Sequence, residues 1–290
     1  MSIQVKNLKH IYEKGMPTES VALEGVSFEV EDGELLGIIG HTGSGKSTLL
    51  QHLNGLLKPD EGTIVIGGVD ITAPGVSMVE IRKRIGLVFQ YPEYQLFEET
   101  VAKDVAFGPR NLGLADSEIE ERVREALELV GLDYEDMKDR SPFELSGGQK
   151  RRVAIAGVMA MKPEVIIFDE PAAGLDPRGR RSVFEIIKSY CRSSGCTVIV
   201  VSHSMEDMAG LADRIIVMNR GRLFCHDRTP EVFSKADQIS AMGLDVPQIT
   251  KVFELLRKEN IVFKDEVYTV DHAVKMILEY LAEKGGDSGC

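Results

Sequence analysis

Short apolar runs alternate with amphipathic helical patterns along the chain as far as about Met218. Two of these runs, Val165–Phe168 and Thr197–Val201, have the length and β-branched content of buried strands. A helix is predicted between them, from about Arg178 to Cys191. Buried strands that alternate with helices are typical of a mainly parallel sheet covered by helices, so the pattern predicts an α/β fold.

The opening region has a different pattern. Residues 3–5, 26–30 and 63–66 alternate or are β-branched, and turn residues separate them. This pattern predicts an antiparallel β layer beside the parallel sheet. The apolar run Leu35–Ile39 then leads into a glycine-rich turn, after which a helix is predicted over Lys46–Leu57.

No strong strand pattern is found between residues 101 and 161. Apolar residues there recur at helical spacing with charges between them, at Ile119, Val123, Leu127 and Val130. We therefore expect an inserted helical subdomain at about residues 100–161. A turn at Asn219–Gly221 joins two short strands near the end of the core. We place a first domain at residues 1–225 and a small, mainly helical accessory domain at residues 226–290.

The composition narrows the class of protein, because 43% hydrophobic and 28% charged residues are typical of a globular chain. Acidic residues outnumber basic ones, 46 to 34, so no positive field would draw nucleic-acid phosphates. The apolar runs are far shorter than the roughly 18 residues that a membrane span needs. The N-terminal residues alternate like a strand and carry no secretory core. We expect a cytoplasmic chain with no nucleic acid as a partner.

The four cysteines give no sign of a disulfide framework or a metal site. They form no CxxC pair and have no metal-ligand spacing with the histidines. The sequence predicts reduced cysteines that serve as small apolar residues, at Cys191, Cys196, Cys225 and Cys290.

The glycine-rich turn fits the phosphate-loop pattern GxxxxGK[ST], after a buried strand and at the start of a helix. In such a loop, backbone N–H groups and the helix N-terminus hold the phosphates. Lys46 would supply a charge to the β- and γ-phosphates, and the Ser47 hydroxyl would ligate Mg²⁺. A glycine-rich turn with a surface lysine is the alternative. The candidate ATP-binding residues here are Gly40, His41, Thr42, Gly43, Ser44, Gly45, Lys46, Ser47 and Thr48.

A pair of carboxylates, Asp169 and Glu170, follows the apolar run 165–168, at the edge where open α/β sheets bind ligands. Asp169 would hold the metal ion, usually through water. Glu170 is then placed to polarise the attacking water as a catalytic residue. Taken alone, such a pair is also compatible with a helix N-terminal cap.

A third motif precedes the basic, helix-forming run Lys150–Arg152 and reads Leu145-Ser146-Gly147-Gly148-Gln149. Taken alone, its SGG would be a loop or a helix cap. Together with the two motifs above, it resembles the ABC ATPase family, whose signature sequence is LSGGQ. The resemblance implies that these residues act in trans, on the γ-phosphate of ATP that the other subunit holds.

Further matches to the family occur in the family's order. Gln90 matches the glutamine that senses Mg²⁺ and water, and Asp176 lies in a segment that resembles the loop crossing the dimer interface. His203 matches the switch histidine at the γ-phosphate, and Tyr12 matches the aromatic residue that stacks on adenine. Taken alone, Gln90 would be a solvated loop residue, His203 a structural histidine and Tyr12 a buried core residue.

A narrower resemblance follows Gln90. The segment Tyr91–Phe97, with the sequence YPEYQLF, is similar to one found in ATPases of energy-coupling factor importers, and a C-terminal extension is also in keeping with that group. The resemblance implies an ATPase that uses ATP and Mg²⁺ to drive uptake of a vitamin or a transition-metal ion. Its partners would be a second ATPase subunit, identical or paralogous, and integral membrane subunits at the cytoplasmic face of the cell membrane.

Other functions stay open from the residues. The runner-up is the ATPase of an importer that works with a separate binding protein. A soluble ABC protein of DNA repair or translation is disfavoured, because the chain has neither a long coiled coil between the motifs nor a second cassette. A plain P-loop kinase would have no use for LSGGQ.

Overall fold

The computed structural model of the chain describes residues 1–263 and 265–286. Cys290, one of the four cysteines, lies outside the described residues. In chain order the strands are β1 (Ile3–Tyr12), β2 (Ser20–Val30), β3 (Leu35–Gly40), β4 (Glu61–Ile66), β5 (Val69–Asp70), β6 (Ile85–Val88), β7 (Val165–Asp169), β8 (Thr197–Val201), β9 (Arg214–Asn219) and β10 (Arg222–Arg228). The helices are α1 (Lys46–Leu53), α2 (Met78–Arg84), α3 (Val101–Asn111), α4 (Asp116–Leu129), α5 (Tyr134–Met137), α6 (Gly147–Met159), α7 (Pro177–Ser194), α8 (Met205–Leu211), α9 (Thr229–Phe233), α10 (Ala236–Ala241), α11 (Gln248–Lys258) and α12 (Val270–Gly286).

A six-stranded sheet in the order β10-β9-β3-β8-β7-β6 forms the centre of the molecule. All neighbouring strands in it are parallel except β9 and β10, which form a hairpin. Strands β3 and β8 are buried along their whole length, which explains why they read as unbroken apolar runs. The predicted α/β fold is confirmed, and the parallel strands bring their carboxyl ends to one edge.

The predicted antiparallel layer is a second sheet in the order β2-β1-β4-β5. Val5 of β1 pairs with Phe28 on one side and with Ile64 on the other, and all three side chains are buried. This layer covers the helix that follows the glycine-rich turn. That helix, α1, ends at Leu53 and is shorter than predicted, because Asn54 caps it and Gly55 then takes the left-handed φ of +62° that commonly ends a helix.

The predicted helical subdomain corresponds to α3 through α6. Thr100 caps α3 by accepting a hydrogen bond from the Lys103 N–H, which fixes where this region begins. Its apolar faces meet in one core at Val105, Val123, Leu127, Val153 and Ala156. The region therefore packs as a unit beside the sheet and carries the start of α6 to the molecular surface.

The chain after β10 divides into two parts by its packing. Val232, Phe233 and Ile239 are buried in the same core as the central sheet. Phe253 and Met276 belong to a separate small cluster between α11 and α12. Because packing is continuous across residue 226, the division into domains at residues 225 and 226 stays a prediction.

The burial of Phe233 makes the first of these two parts necessary for stability. We expect Phe233→Ala to lower the free energy of unfolding by about 3–5 kcal/mol, since the side chain is 1% exposed. Urea unfolding of the full chain measures this loss, with Phe224→Ala, which is 38% exposed, as the control. A loss no larger than that of the control would show that α9 does not stabilise the sheet domain.

Candidate nucleotide-binding and hydrolysis site

The phosphate loop joins the carboxyl end of β3 to α1, as the sequence predicts. The buried Lys46 Nζ donates hydrogen bonds to the carbonyl oxygens of Gly40, at 2.6 Å, and His41, at 2.9 Å. Burial lowers the pKa of the Lys46 ammonium, while the charges of Glu170 and Asp169 act in the opposite direction. The cation is thus held across the loop and faces two carboxylates.

The glycines of the loop are required by close backbone contacts. A Cβ on Gly45, where φ is +100°, would lie 2.6 Å from the Ala22 carbonyl oxygen. A Cβ on Gly40 would lie 2.5 Å from the Ser44 hydroxyl oxygen. Thr42, Gly43 and Ser47 are exposed, so the outer face of the loop is accessible to a phosphate chain.

The two candidate carboxylates lie at the carboxyl end of β7, which β8 separates from β3 in the sheet. Asp169 closes β7, and burial, followed by the charge of Glu170, raises its pKa while Lys46 opposes the rise. Glu170 has φ +51°, a rare value for a residue with a side chain, and its N–H donates to the Val201 carbonyl at 3.0 Å. The backbone of Glu170 is thus tied to the last residue of β8.

His203 and Gln90 converge on the same edge from the strands that flank β7. His203 follows β8, and its Nδ1 lies 2.9 Å from Glu170 Oε2. Gln90 lies two residues after Val88, the last residue of β6 and the partner of Phe168 in β7. A hydrogen bond thus joins His203 to Glu170, the charges of Asp169 and Glu170 act on Lys46, and strand register places Gln90 at the same edge.

Tyr12 lies at the end of β1, beside the start of α1. Its hydroxyl is 3.2 Å from the Thr48 hydroxyl, and its ring is 39% exposed. The ring of His10 meets it edge-on at 4.5 Å, and His52 of α1 packs edge-on against His10 at 4.7 Å. Tyr12 is therefore a fixed, accessible aromatic surface close to the phosphate loop and not a buried core residue.

The signature sequence forms the exposed start of α6. The Ser146 hydroxyl accepts the Gln149 N–H, and Gln149 Oε1 accepts the Ser146 N–H, which makes a capping box. Leu145 is buried beneath it as an anchor, whereas Gly147 and Gly148 have open space on their outer side. A helix N-terminus presented in this way can bind an anion of another molecule.

Asp176 is exposed and caps α7, because its side chain accepts the Gly179 N–H at 2.7 Å. One ion pair was not foreseen from the sequence: Arg151 in α6 pairs with Glu93, three residues after Gln90. Both residues stand within motifs that the sequence indicated. Only their pairing, over 58 residues of sequence, required the tertiary structure.

A phosphate loop, a carboxylate pair at the same carboxyl edge of the sheet and an exposed LSGGQ helix together define an ATP-binding-cassette ATPase. Residues 23–173 match the family model described as ABC transporter. The chain is 56% identical, over 98% of its length and 99% of the relative, to the energy-coupling factor transporter ATP-binding protein EcfA2 of Clostridioides difficile. The chain thus belongs to the ABC transporter ATP-binding proteins, and within them to the energy-coupling factor transporter ATP-binding proteins.

Solved structures with the same fold agree with this family. CbiO1 of Clostridium perfringens, part of the ABC transporter complex CbiONQ, is 38% identical with a TM-score of 0.74, over 87% of this chain and 98% of that one. The cassette MJ0796, seen as a dimer after hydrolysis with ADP and Pi, is 29% identical with a TM-score of 0.69, over 78% of this chain and 98% of that one. Among the described residues, no helix has the length and apolar character to cross a membrane.

The raised pKa of Asp169 predicts a cost in stability. When a carboxyl has a higher pKa in the folded chain than in the unfolded chain, the protein loses stability as the pH rises through the folded-state pKa. At neutral pH the ionised Asp169 therefore destabilises the folded protein. We expect Asp169→Asn to raise the melting temperature of the nucleotide-free chain by a few degrees, the scale of about 1 kcal/mol.

The measurement is thermal unfolding at several pH values without nucleotide. The gain should shrink as the pH falls, because Asp169 of the parent chain then becomes protonated. Asp139→Asn, at an exposed position outside the site, is the control. A lower melting temperature for Asp169→Asn at neutral pH would contradict the predicted cost of burial.

Proposed function

We propose that the chain is the ATP-hydrolysing subunit of an energy-coupling factor importer and that it drives uptake of a vitamin or a transition-metal ion. The observation that carries the proposal is the joint presence of a phosphate loop, a Glu170–His203 pair and an exposed signature helix on one chain. The family membership reported above agrees with it. The ATPase domain would comprise residues 1–225, and residues 226–290 would be accessory.

ATP binding follows from the geometry of the phosphate loop. The residues Gly40 to Thr48 would surround the phosphates with backbone N–H groups, and Lys46 would turn its donors from the loop carbonyls to phosphate oxygens. The adenine ring would stack on Tyr12, whose exposed ring is held by His10. The bound nucleotide would therefore lie across the junction between β1, β3 and α1.

The oxygen donors at the sheet edge fit Mg²⁺. Ser47, Gln90 and Asp169 offer a hydroxyl, an amide and a carboxylate, which are hard ligands, and burial of Asp169 leaves a charge that a cation would neutralise. Among the described residues, no group of three or more His, Cys, Asp or Glu side chains could hold a metal by itself. Mg²⁺ suits this sparse set because phosphates and water complete its shell. When bound, it would neutralise charge on the transferred phosphoryl group.

Hydrolysis requires a positioned water, and Glu170 is placed to orient and polarise it. The hydrogen bond from His203 to Glu170 Oε2 holds the carboxylate and brings a further donor towards the γ-phosphate position. Because Lys46, Asp169 and Glu170 lie at the same carboxyl edge of the sheet, the reaction would proceed by positioning and electrostatic stabilisation.

The exposed signature implies a second ATPase subunit. Residues Leu145 to Gln149 would complete the ATP site of a partner subunit, while Asp176 would lie at the interface between the two. The partner would be a second copy or a paralogue. ATP would then join the two subunits, and its hydrolysis would let them separate.

The segment Tyr91–Phe97, called here the docking segment, would bind a cytoplasmic helix of an integral membrane subunit. Tyr91, Tyr94 and Phe97 are all exposed, and a short 3-10 helix over Pro92–Gln95 presents them. Exposed aromatic residues on a rigid scaffold are typical of interaction hot spots. Through this segment, the chain would associate with the cytoplasmic face of the membrane.

Glu170→Gln should lower ATP turnover by about 10²–10⁴-fold while leaving ATP binding intact, because the variant loses the group that polarises water. The variant should accumulate as an ATP-bound dimer, because ATP would join the two subunits and would not be hydrolysed. A phosphate-release assay and size-exclusion chromatography with and without MgATP measure the two effects. The control is Glu185→Gln, an exposed glutamate of α7.

The two measurements separate two parts of the proposal. Near-normal turnover would remove Glu170 from the catalytic role. Loss of turnover without an ATP-dependent dimer would keep that role and would contradict the two-subunit arrangement for this chain alone.

Tyr94→Ala should weaken binding to the membrane subunits at least tenfold, about 1.4 kcal/mol, since this 84% exposed ring is the most accessible aromatic residue of the docking segment. The measurement is the amount of integral membrane protein that co-purifies with the full chain from membranes, identified by mass spectrometry. Val79→Ala, also exposed but located on α2, is the control. Equal recovery from both variants would place the docking surface elsewhere.

A further inference from the structure

Arg151 makes an unusual set of buried contacts. Its side chain is 3% exposed, although it stands in the second turn of α6, shortly after the exposed signature. Nη2 and Nε donate to the two carboxylate oxygens of Glu93, at 2.7 and 2.9 Å. Nη1 donates to the carbonyl oxygens of Ala173, at 2.7 Å, and Pro171, at 3.2 Å. The guanidinium therefore has partners on two further segments.

These partners belong to the parts of the proposed site that must act together. Glu93 lies within the docking segment, and Pro171 and Ala173 lie between Glu170 and Asp176. Arg151 itself is on the helix whose first residues are the signature. One side chain thus joins the docking segment, the signature helix and the loop that runs from the catalytic carboxylate to the subunit interface.

A second contact links the same segments. Tyr91 has φ +56°, and its ring lies 5.8 Å from the Arg151 guanidinium and also next to Gly174, where a Cβ would be 3.4 Å from the ring. Movement of the docking segment would therefore press on Gly174 as well as pull on Arg151. The left-handed backbone at Tyr91 is held in place by these contacts.

The contacts at position 151 with Glu93, Pro171 and Ala173 require an arginine side chain. A buried cation is costly unless it is paired and its donors are satisfied, and the planar guanidinium satisfies four donor contacts at once. A lysine has a single ammonium group and could not donate two parallel hydrogen bonds to one carboxylate. The adjacent Arg152 has a different task, since it donates to the Gly131 and Val130 carbonyls inside the helical subdomain.

We infer that Arg151 is a positioning residue that transmits displacement of the docking segment to the signature helix and to the loop after Glu170. The inference rests on the proposed function. When a membrane subunit moves the docking segment, the Glu93–Arg151 pair moves α6 and the carbonyls of Pro171 and Ala173 with it. One event then acts on two ATP sites, because Glu170 belongs to this chain's own site and the signature helix completes that of the partner subunit.

The test compares ATP turnover of the isolated chain with that of the complex purified with its membrane subunits. The ratio of the two rates, complex over isolated chain, is the readout. Arg151→Gln should lower this ratio at least about tenfold through kcat, the scale of a misplaced catalytic geometry. KM for ATP should stay unchanged, because Arg151 does not contact the phosphate loop. Arg151→Lys should restore little, since it lacks the planar fork.

A double variant and a matched control make the result specific. Glu93→Gln should lower the ratio as well, and Glu93→Gln combined with Arg151→Gln should be no worse than Arg151→Gln alone, as expected for one shared interaction. Arg124→Gln removes an arginine from an exposed ion pair with Glu135 on the same subdomain and should leave the ratio unchanged.

A ratio within twofold of the parent in an assembled Arg151→Gln complex would overturn the inference, as would an equal loss in Arg124→Gln. If Arg151→Gln does not assemble, the same ratio in Glu93→Gln decides the question, and an unchanged ratio refutes the inference. A parent complex whose turnover does not differ from that of the isolated chain would instead contradict the proposed function.

Discussion

The burial of one ammonium group, that of Lys46, at the carboxyl edge of the parallel sheet is the interaction on which the rest of the site depends. Loop carbonyls accept its hydrogen bonds, and the charges of Asp169 and Glu170 act on it from the end of β7, beyond β8 in the same sheet. Desolvation opposes the charge on both Lys46 and Asp169. A phosphate chain and a divalent cation would give each of these charges a partner, which explains why the site is built from such costly groups.

A short segment of the chain connects the proposed catalytic residue Glu170 to the molecular surface. Glu170 adopts a left-handed conformation, and the chain then passes Pro171 and Ala173 and reaches the exposed Asp176. Arg151 fixes the middle of this path from the signature helix. Only a few residues therefore separate Glu170 from Asp176 at the proposed subunit interface. Hydrogen bonds from Arg151 hold this stretch of chain in place.

The chain after the central sheet also contacts the phosphate loop. The His41 ring nitrogen Nε2 lies 2.9 Å from the Met242 carbonyl oxygen, and a Cβ on Gly243 would be 3.5 Å from the same ring. Together with the burial of Phe233, this contact ties the first part of the C-terminal region to the core. The residues of α11 and α12 pack in a separate small cluster of their own.

The sequence by itself determined the fold class, the antiparallel layer, the helical subdomain and the order of the motifs. It could do so because buried parallel strands read as apolar runs and because phosphate loops and helix starts have local signatures. The apolar pattern alone did not show where α1 ends, because the end is set by the left-handed backbone at Gly55 and not by a change in hydrophobicity. It also did not reveal that residues after 226 continue the core. The pairing of Arg151 with Glu93 was decided by the tertiary structure alone, because a buried ion pair forms between residues that only the packing of α6 against the docking segment brings together.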